Sequence, residues 1–192
     1  MHKGSPIRRK SCVSITLGDG YELRDHCGAS AKINSRSRAA PSSTVRTFIR
    51  MPFERVFMVW DIYDGARSGL ACLRGKPHYF DCEIDRVHGG YTDIYQLWPI
   101  DEELLTLATA QWQLYRAWEL RFHSGDVPLE THPGHRGQNA RYDDLEDEIH
   151  RRLSLLGTPT CRALADFRAC AHQPELPAGC LRELEVQWVA VA

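Results

Sequence analysis

No stretch of this 192-residue chain approaches the run of roughly 18–20 apolar residues that a membrane helix needs, so a membrane-spanning helix is excluded. The apolar run after the basic cluster Arg8, Arg9 and Lys10 extends only from Cys12 to Leu17 and is interrupted by Ser and Thr. That is too short and too polar for a secretory h-region, so a cytoplasmic location is the expectation. Phosphate loops are missing: Gly18-Asp19-Gly20 has no third glycine in place and opens no helix, which excludes Walker and dinucleotide fingerprints. There is no G-x-S-x-G elbow and no H-E-x-x-H, so neither a hydrolase nucleophile turn nor a zincin helix is present. The seven cysteines form no C-x-x-C pair, which argues against a zinc ribbon or a thioredoxin-type motif. A formal net charge of -1 argues against a dedicated nucleic-acid binder.

What is present divides near Met51. Residues 1–50 carry ten Lys/Arg against three Asp/Glu, whereas residues 51–192 carry 14 against 22. The first segment is rich in Ser, Arg, Gly and Ala, shows no sustained period, and reads as a disordered basic extension. Composition leaves two readings of it open. It is a genuine tail, contacting nucleic acid or an anionic surface through Arg8, Arg9, Lys10, Arg36 and Arg38, or it is a misassigned upstream extension of a chain whose native start is Met51. The segment lacks interleaved aromatics, so base stacking is not implied. A soluble domain over 51–157 and a weakly patterned segment over 158–192 complete the expected organisation.

The run Val56-Phe57-Met58-Val59-Trp60 is apolar, β-branched and aromatic, and reads as a buried strand. Turn residues at Asp64-Gly65, Arg74-Gly75-Lys76-Pro77 and Gly89-Gly90 separate it from strands over Ser68–Leu73, His78–Ile84 and Tyr91–Leu97. Asp101 is a fitting N-cap for a helix over Glu102–Phe122, and Leu104, Leu105, Ala108, Trp112, Tyr115 and Trp118 line a broad apolar stripe on it. A long loop over 125–139 leads to a second helix over Tyr142–Leu156. Cys161–Cys170 reads as a short helix and Glu183–Val191 as a strand. The fold class these elements predict is α+β: a four-stranded antiparallel β-meander covered by one long amphipathic helix, with a second helix alongside.

Four groups of residues invite a chemical reading. Glu119 and His123 stand one helical turn apart, with His132 and His135 in the following loop. Three such ligands plus water is the usual plan of a catalytic metal site, so Glu119, His123, His132 and His135 are candidate ligands for a divalent transition metal such as zinc. Glu119 also falls inside the apolar stripe, where a carboxylate needs a partner, and a structural pair with His123 or an Arg is the stronger explanation. Asp61, Asp64, Asp81, Glu83 and Asp85 form an acid set, but alternation puts Asp81, Glu83 and Asp85 on one strand face opposite Cys82 and Ile84, as expected of a solvated sheet face. Ser68, Cys72 and Cys82 near His78 are weak nucleophile candidates; Cys72 and Cys82 lie on neighbouring strands where they could face one another across a ladder, but two small apolar residues kept reduced is the stronger reading. Trp60, Trp98, Trp112 and Trp118 fall on faces expected to be buried, where core packing is their role.

The segments Trp60-Asp61-Ile62-Tyr63-Asp64-Gly65, Ser68-Gly69, Gly75-Lys76-Pro77-His78-Tyr79-Phe80, Trp118-Glu119, Phe122-His123-Ser124-Gly125 and Thr131-His132-Pro133 resemble a small uncharacterised bacterial protein family over roughly residues 56–150. The resemblance brings no activity and no catalytic residues. It draws together Trp60, His78, Glu119, His123 and His132 as one candidate site. The expectation is a non-catalytic binding or interaction module without cofactor, taking a protein or small-molecule partner. The alternatives are a metal-dependent hydrolase, or another metal protein, and nucleic-acid contact through the basic tail.

Overall fold

The computed structural model describes residues 52–62, 65–85 and 87–191, so the expectations for residues 1–50 lie outside the described residues. The chain runs β1 (Glu54–Ile62), β2 (Ala66–Leu73), β3 (Lys76–Asp85), β4 (Gly90–Pro99), α1 (Glu102–His123), a 3-10 turn (Leu129–Thr131), α2 (Ala140–Leu153), β5 (Cys161–Ala169) and β6 (Leu184–Ala190). The six strands are antiparallel and close into a barrel in sequence order. The expected four-stranded meander is therefore corrected to a mostly β fold. β5 pairs with β4 from Ile94↔Leu164 to Leu97↔Cys161, and β6 returns to β1 at Glu54↔Val186 and Arg55↔Glu185. Closure pairs both edges that a meander would leave open. The segment expected as a helix over Cys161–Cys170 is β5, in which Ala163, Ala165 and Phe167 face the barrel core while Arg162, Asp166 and Arg168 alternate outward.

The interior is a packed core. Phe80, Tyr95, Phe167 and Trp188 pack as one aromatic group with ring centroids 5.5–6.1 Å apart, and Leu97, Ala163 and Val186 around it are fully buried. The Trp188 indole donates to the Cys72 carbonyl at 2.8 Å and the Tyr95 hydroxyl to the Ala66 carbonyl at 2.9 Å, so both polar tips are satisfied. Burial pushes the Tyr95 hydroxyl up to about 12. β1 departs from simple alternation: irregularities between Val56 and Met58 and between Val59 and Asp61 let Val56 and Val59 both join the interior cluster. Gly69 lies against this strand, where a side chain would collide with the Met58 carbonyl oxygen and press on Phe80. The β2–β3 hairpin is a two-residue turn in which Arg74 (φ 56°) and Gly75 (φ 73°) are both left-handed. The Glu54 carboxylate accepts both of their N–H groups, at 2.7 and 2.9 Å, and thereby supports a conformation that Arg adopts at a cost of about 1–2 kcal/mol.

The helices cover the outside of the first strands. Leu104 and Ala108 of α1 and Leu145 and Ile149 of α2 bury against Met58 and Leu70, with Trp60 and Tyr79 at the margin. Both caps are side-chain oxygens: Asp101 accepts from Leu104 N at 2.7 Å, and Asn139 from Tyr142 N at 3.0 Å. Farther along α1, Tyr115 and Trp118 meet Tyr142 of α2 and Leu181 of the β5–β6 connection in a third apolar cluster.

Candidate functional site

Glu119 is 1% exposed, as its place in the apolar stripe of α1 predicts. Its partners are structural. One oxygen accepts the Leu181 backbone N–H at 2.9 Å and faces the Tyr115 hydroxyl at 3.4 Å; the other pairs with the Arg116 guanidinium. Arg116 also donates to the Leu181 carbonyl at 2.8 Å, so the carboxylate and guanidinium together grip both polar groups of one residue. Burial, then the Glu119 charge, drives the Tyr115 hydroxyl well above its ordinary value. One turn on, the His123 ring lies against Gly179, where a side chain would come within 2.6 Å of its Nδ1, and edge-on to Phe122. Glu119 and His123 thus hold the irregular β5–β6 connection onto α1 at Leu181 and Gly179.

His132 follows the 3-10 turn and is buried edge-on to Trp118, with ring centroids 4.4 Å apart; Tyr115 and His135 are its other ring neighbours. Its Nδ1 accepts the Gly134 N–H at 3.0 Å, which places the proton of the neutral ring on Nε2. That Nε2 is buried without a hydrogen-bond partner. Burial, and after it the charge of His135, lowers the His132 pKa. Asp143 of α2 is also buried: one oxygen accepts Gly137 N at 2.9 Å and the other has no partner. These groups fasten the α1–α2 connection.

The remaining candidates lie on the barrel. The His78 ring donates from Nδ1 to the Lys76 carbonyl at 2.9 Å on its own strand, and Trp60 rests 6.0 Å from Tyr79, which stacks on Trp98. The five residues drawn together by the family resemblance are therefore divided among the barrel, the β5–β6 clamp and the α1–α2 connection. Among the described residues, no group of three or more His, Cys, Asp or Glu is arranged to hold a metal. Cys72 and Cys82 do not face one another: Cys72 stands opposite Pro77 and Cys82 opposite Tyr95, and both thiols are raised, chiefly by burial. Glu83 is held by the Arg162 guanidinium through two hydrogen bonds of 2.6 and 2.7 Å, which lower its pKa.

The feature not anticipated lies at the end of the barrel where β1 and the β3–β4 hairpin meet. An irregularity between Cys82 and Ile84 breaks the alternation, so Cys82 is buried while Ile84 is 62% exposed directly opposite Tyr91. The Tyr91 hydroxyl reaches across to the Asp61 carboxylate at 3.0 Å, joining the ends of β4 and β1, next to exposed Ile62. Beneath the Tyr91 ring lies the guanidinium of buried Arg67, 4.8 Å from the centroid, which also donates to Cys82 Sγ at 3.6 Å. In the hairpin turn, Asp85 accepts the N–H groups of Val87 and His88 at 2.8 and 3.2 Å and pairs with the His88 ring. The turn so fixed holds Val87 outward, 85% exposed. The sequence signal is Ile84 and Val87 on either side of Asp85-Arg86, just before Gly89-Gly90.

Comparison with known protein families, curated proteins and solved structures finds no match for the chain. Among the described residues, no helix is long and apolar enough to cross a membrane.

Proposed function

We propose that this chain is a non-catalytic binding module that engages a partner through the barrel end formed by Ile62, Ile84, Val87 and Tyr91. The observation that carries this reading is that exposed Ile84 and Tyr91 are cross-strand partners on the β3–β4 hairpin, with exposed Val87 in the turn that Asp85 orders between them and exposed Ile62 following Asp61, the partner of the Tyr91 hydroxyl, on β1. Single exposed apolar residues need no explanation, whereas a gathered set on a rigid support is how association surfaces are built. Pre-ordering lowers the entropy that binding must overcome. The reading is supported further by the fate of the chemistry-bearing residues, since Glu119, His123 and His132 each have a part in fastening a connection.

The test is photo-crosslinking in cells, with a benzophenone amino acid placed at Val87 and, as control, at exposed Gln113 on α1. The expected result is a discrete crosslinked product from position 87 and none from 113. Equal yields from both positions, or none from 87, would contradict the reading.

A further inference from the structure

β5 outruns its neighbour on one side. Its pairing with β4 stops at Ile94↔Leu164, whereas its pairing with β6 continues to Ala169↔Leu184. Bonds to the β6 side show which way the main chain faces beyond that point. Arg162 O accepts from Val191 N, and Cys170 N donates to Glu183 O, both at 2.9 Å, so the even-numbered residues bond toward β6. The odd-numbered residues turn their groups the other way. Past Leu164 these include the N–H groups and carbonyls of Phe167 and Ala169, and among the described residues no strand pairs with them. No residue from Leu164 to Ala169 is buried, and this includes Phe167, which packs against the barrel core. An accessible, unpaired edge is a template for another strand.

The side chains along the edge name that strand. Ala165-Asp166-Phe167-Arg168-Ala169 is self-complementary when two copies run antiparallel about Phe167. That alignment sets Asp166 of each copy opposite Arg168 of the other on the outer face, with alanine opposite alanine at the ends. Opposite charges in facing positions favour a pairing and like charges oppose it, so in-register parallel pairing is disfavoured. Asp166 is exposed and has no hydrogen-bond or ion-pair partner among the described residues. Arg168 bonds Glu185 through Nε and stacks on Phe53, which holds the guanidinium in place and leaves its terminal amino groups for a second acceptor.

We infer that β5 is the contact between two copies of this chain, paired antiparallel about Phe167 in a two-fold dimer. Each Phe167 exchanges main-chain bonds with its counterpart, and each Ala169 N–H meets the Ala165 carbonyl of the second copy. Asp166–Arg168 pairs flank them on both sides. These residues are not those of the binding reading above, and the inference stands apart from it.

Sedimentation velocity of the full chain is the test, and the parent is expected to dimerise. Asp166→Arg and Arg168→Asp each set like charges opposite one another and should weaken the dimer at least about tenfold. Mixing these two variants restores opposite charges at both positions and should restore the dimer. Ala169→Pro removes an edge N–H, a change that an unpaired edge tolerates, and should weaken the dimer while the fold persists. Hydrogen exchange of the parent gives a readout that needs no variant: protection of the Phe167 and Ala169 amides should rise with protein concentration. A parent that stays monomeric up to about 100 μM overturns the dimer. A dimer untouched by Asp166→Arg and Ala169→Pro, or one dissociated by Val87→Lys, places the contact elsewhere and overturns the assignment to β5. Two charge variants that stay apart when mixed overturn the antiparallel register. Amide protection that is equal at every concentration assigns the edge to a segment of the same chain and overturns the second copy.

Discussion

The carboxylate of Glu119 accepts the backbone N–H of Leu181 at 2.9 Å, across 62 positions of sequence. With Arg116 bonded to the carbonyl of the same residue, an ion pair on α1 stands in for strand pairing where the chain leaves β5 and has not yet entered β6. The side chain of Glu119 is almost fully buried and that of Arg116 is 20% exposed, so the pair is held by its hydrogen bonds more than by bulk Coulomb attraction.

The clamp predicts an asymmetric mutational response. Arg116→Ala leaves a buried carboxylate without its cation and is expected to lower stability by about 3 kcal/mol. The double replacement Arg116→Met with Glu119→Leu removes both charges and should cost clearly less than the sum of the single changes. Urea unfolding of the four proteins measures the coupling. Strictly additive costs would show that the pair does not act as a unit.

His132 predicts a pH dependence. Its pKa is lowered in the folded protein by burial, so the stability it contributes is fully present above the ordinary histidine value near 6.5. That contribution is lost as pH falls through the lower folded value. Protonation puts a charge beside Trp118 and ends the bond from Gly134 N to Nδ1. Thermal melts from pH 7 to 5 should therefore fall more steeply in the parent than in His132→Gln. Parallel slopes would contradict the assignment.

Gly69 predicts a packing failure. A methyl group at this position meets the Met58 carbonyl oxygen and the Phe80 ring at the irregular stretch of β1, so Gly69→Ala should displace β1 from β2. Overpacking of this kind costs typically about 1–3 kcal/mol. Equilibrium unfolding gives the loss directly, and an unchanged midpoint would show that β1 yields freely.

Much of the scaffold was legible because its signals are local. β1 through β4 announce themselves through apolar runs punctuated by Arg74-Gly75 and Gly89-Gly90, and α1 through Asp101 and its stripe. β5 was not legible: Ala163, Ala165 and Arg162 suit a helix by propensity, and Leu164, the large aliphatic residue of the strand, faces outward. Barrel closure depends on pairings such as Glu54↔Val186, which leave no trace in either segment alone. At the candidate site, the burial of Glu119 could be read from the helical wheel, but its partner is the backbone of Leu181, which carries no side-chain signal. Strict alternation places Ile84 on the face of Cys82, whereas the irregularity between the two residues leaves Cys82 buried and Ile84 exposed.

Two kinds of residue separate under one measurement. The yield of crosslinked partner from a benzophenone amino acid at Ile84, read well below each protein's melting temperature, is compared for the parent, Val87→Lys and His132→Gln. The yield should collapse in Val87→Lys, whose melting temperature stays near that of the parent, and persist in His132→Gln, whose melting temperature shifts. A yield that survives Val87→Lys but is lost in His132→Gln would place the functional site at the α1–α2 connection and contradict the assignment of function to the barrel end.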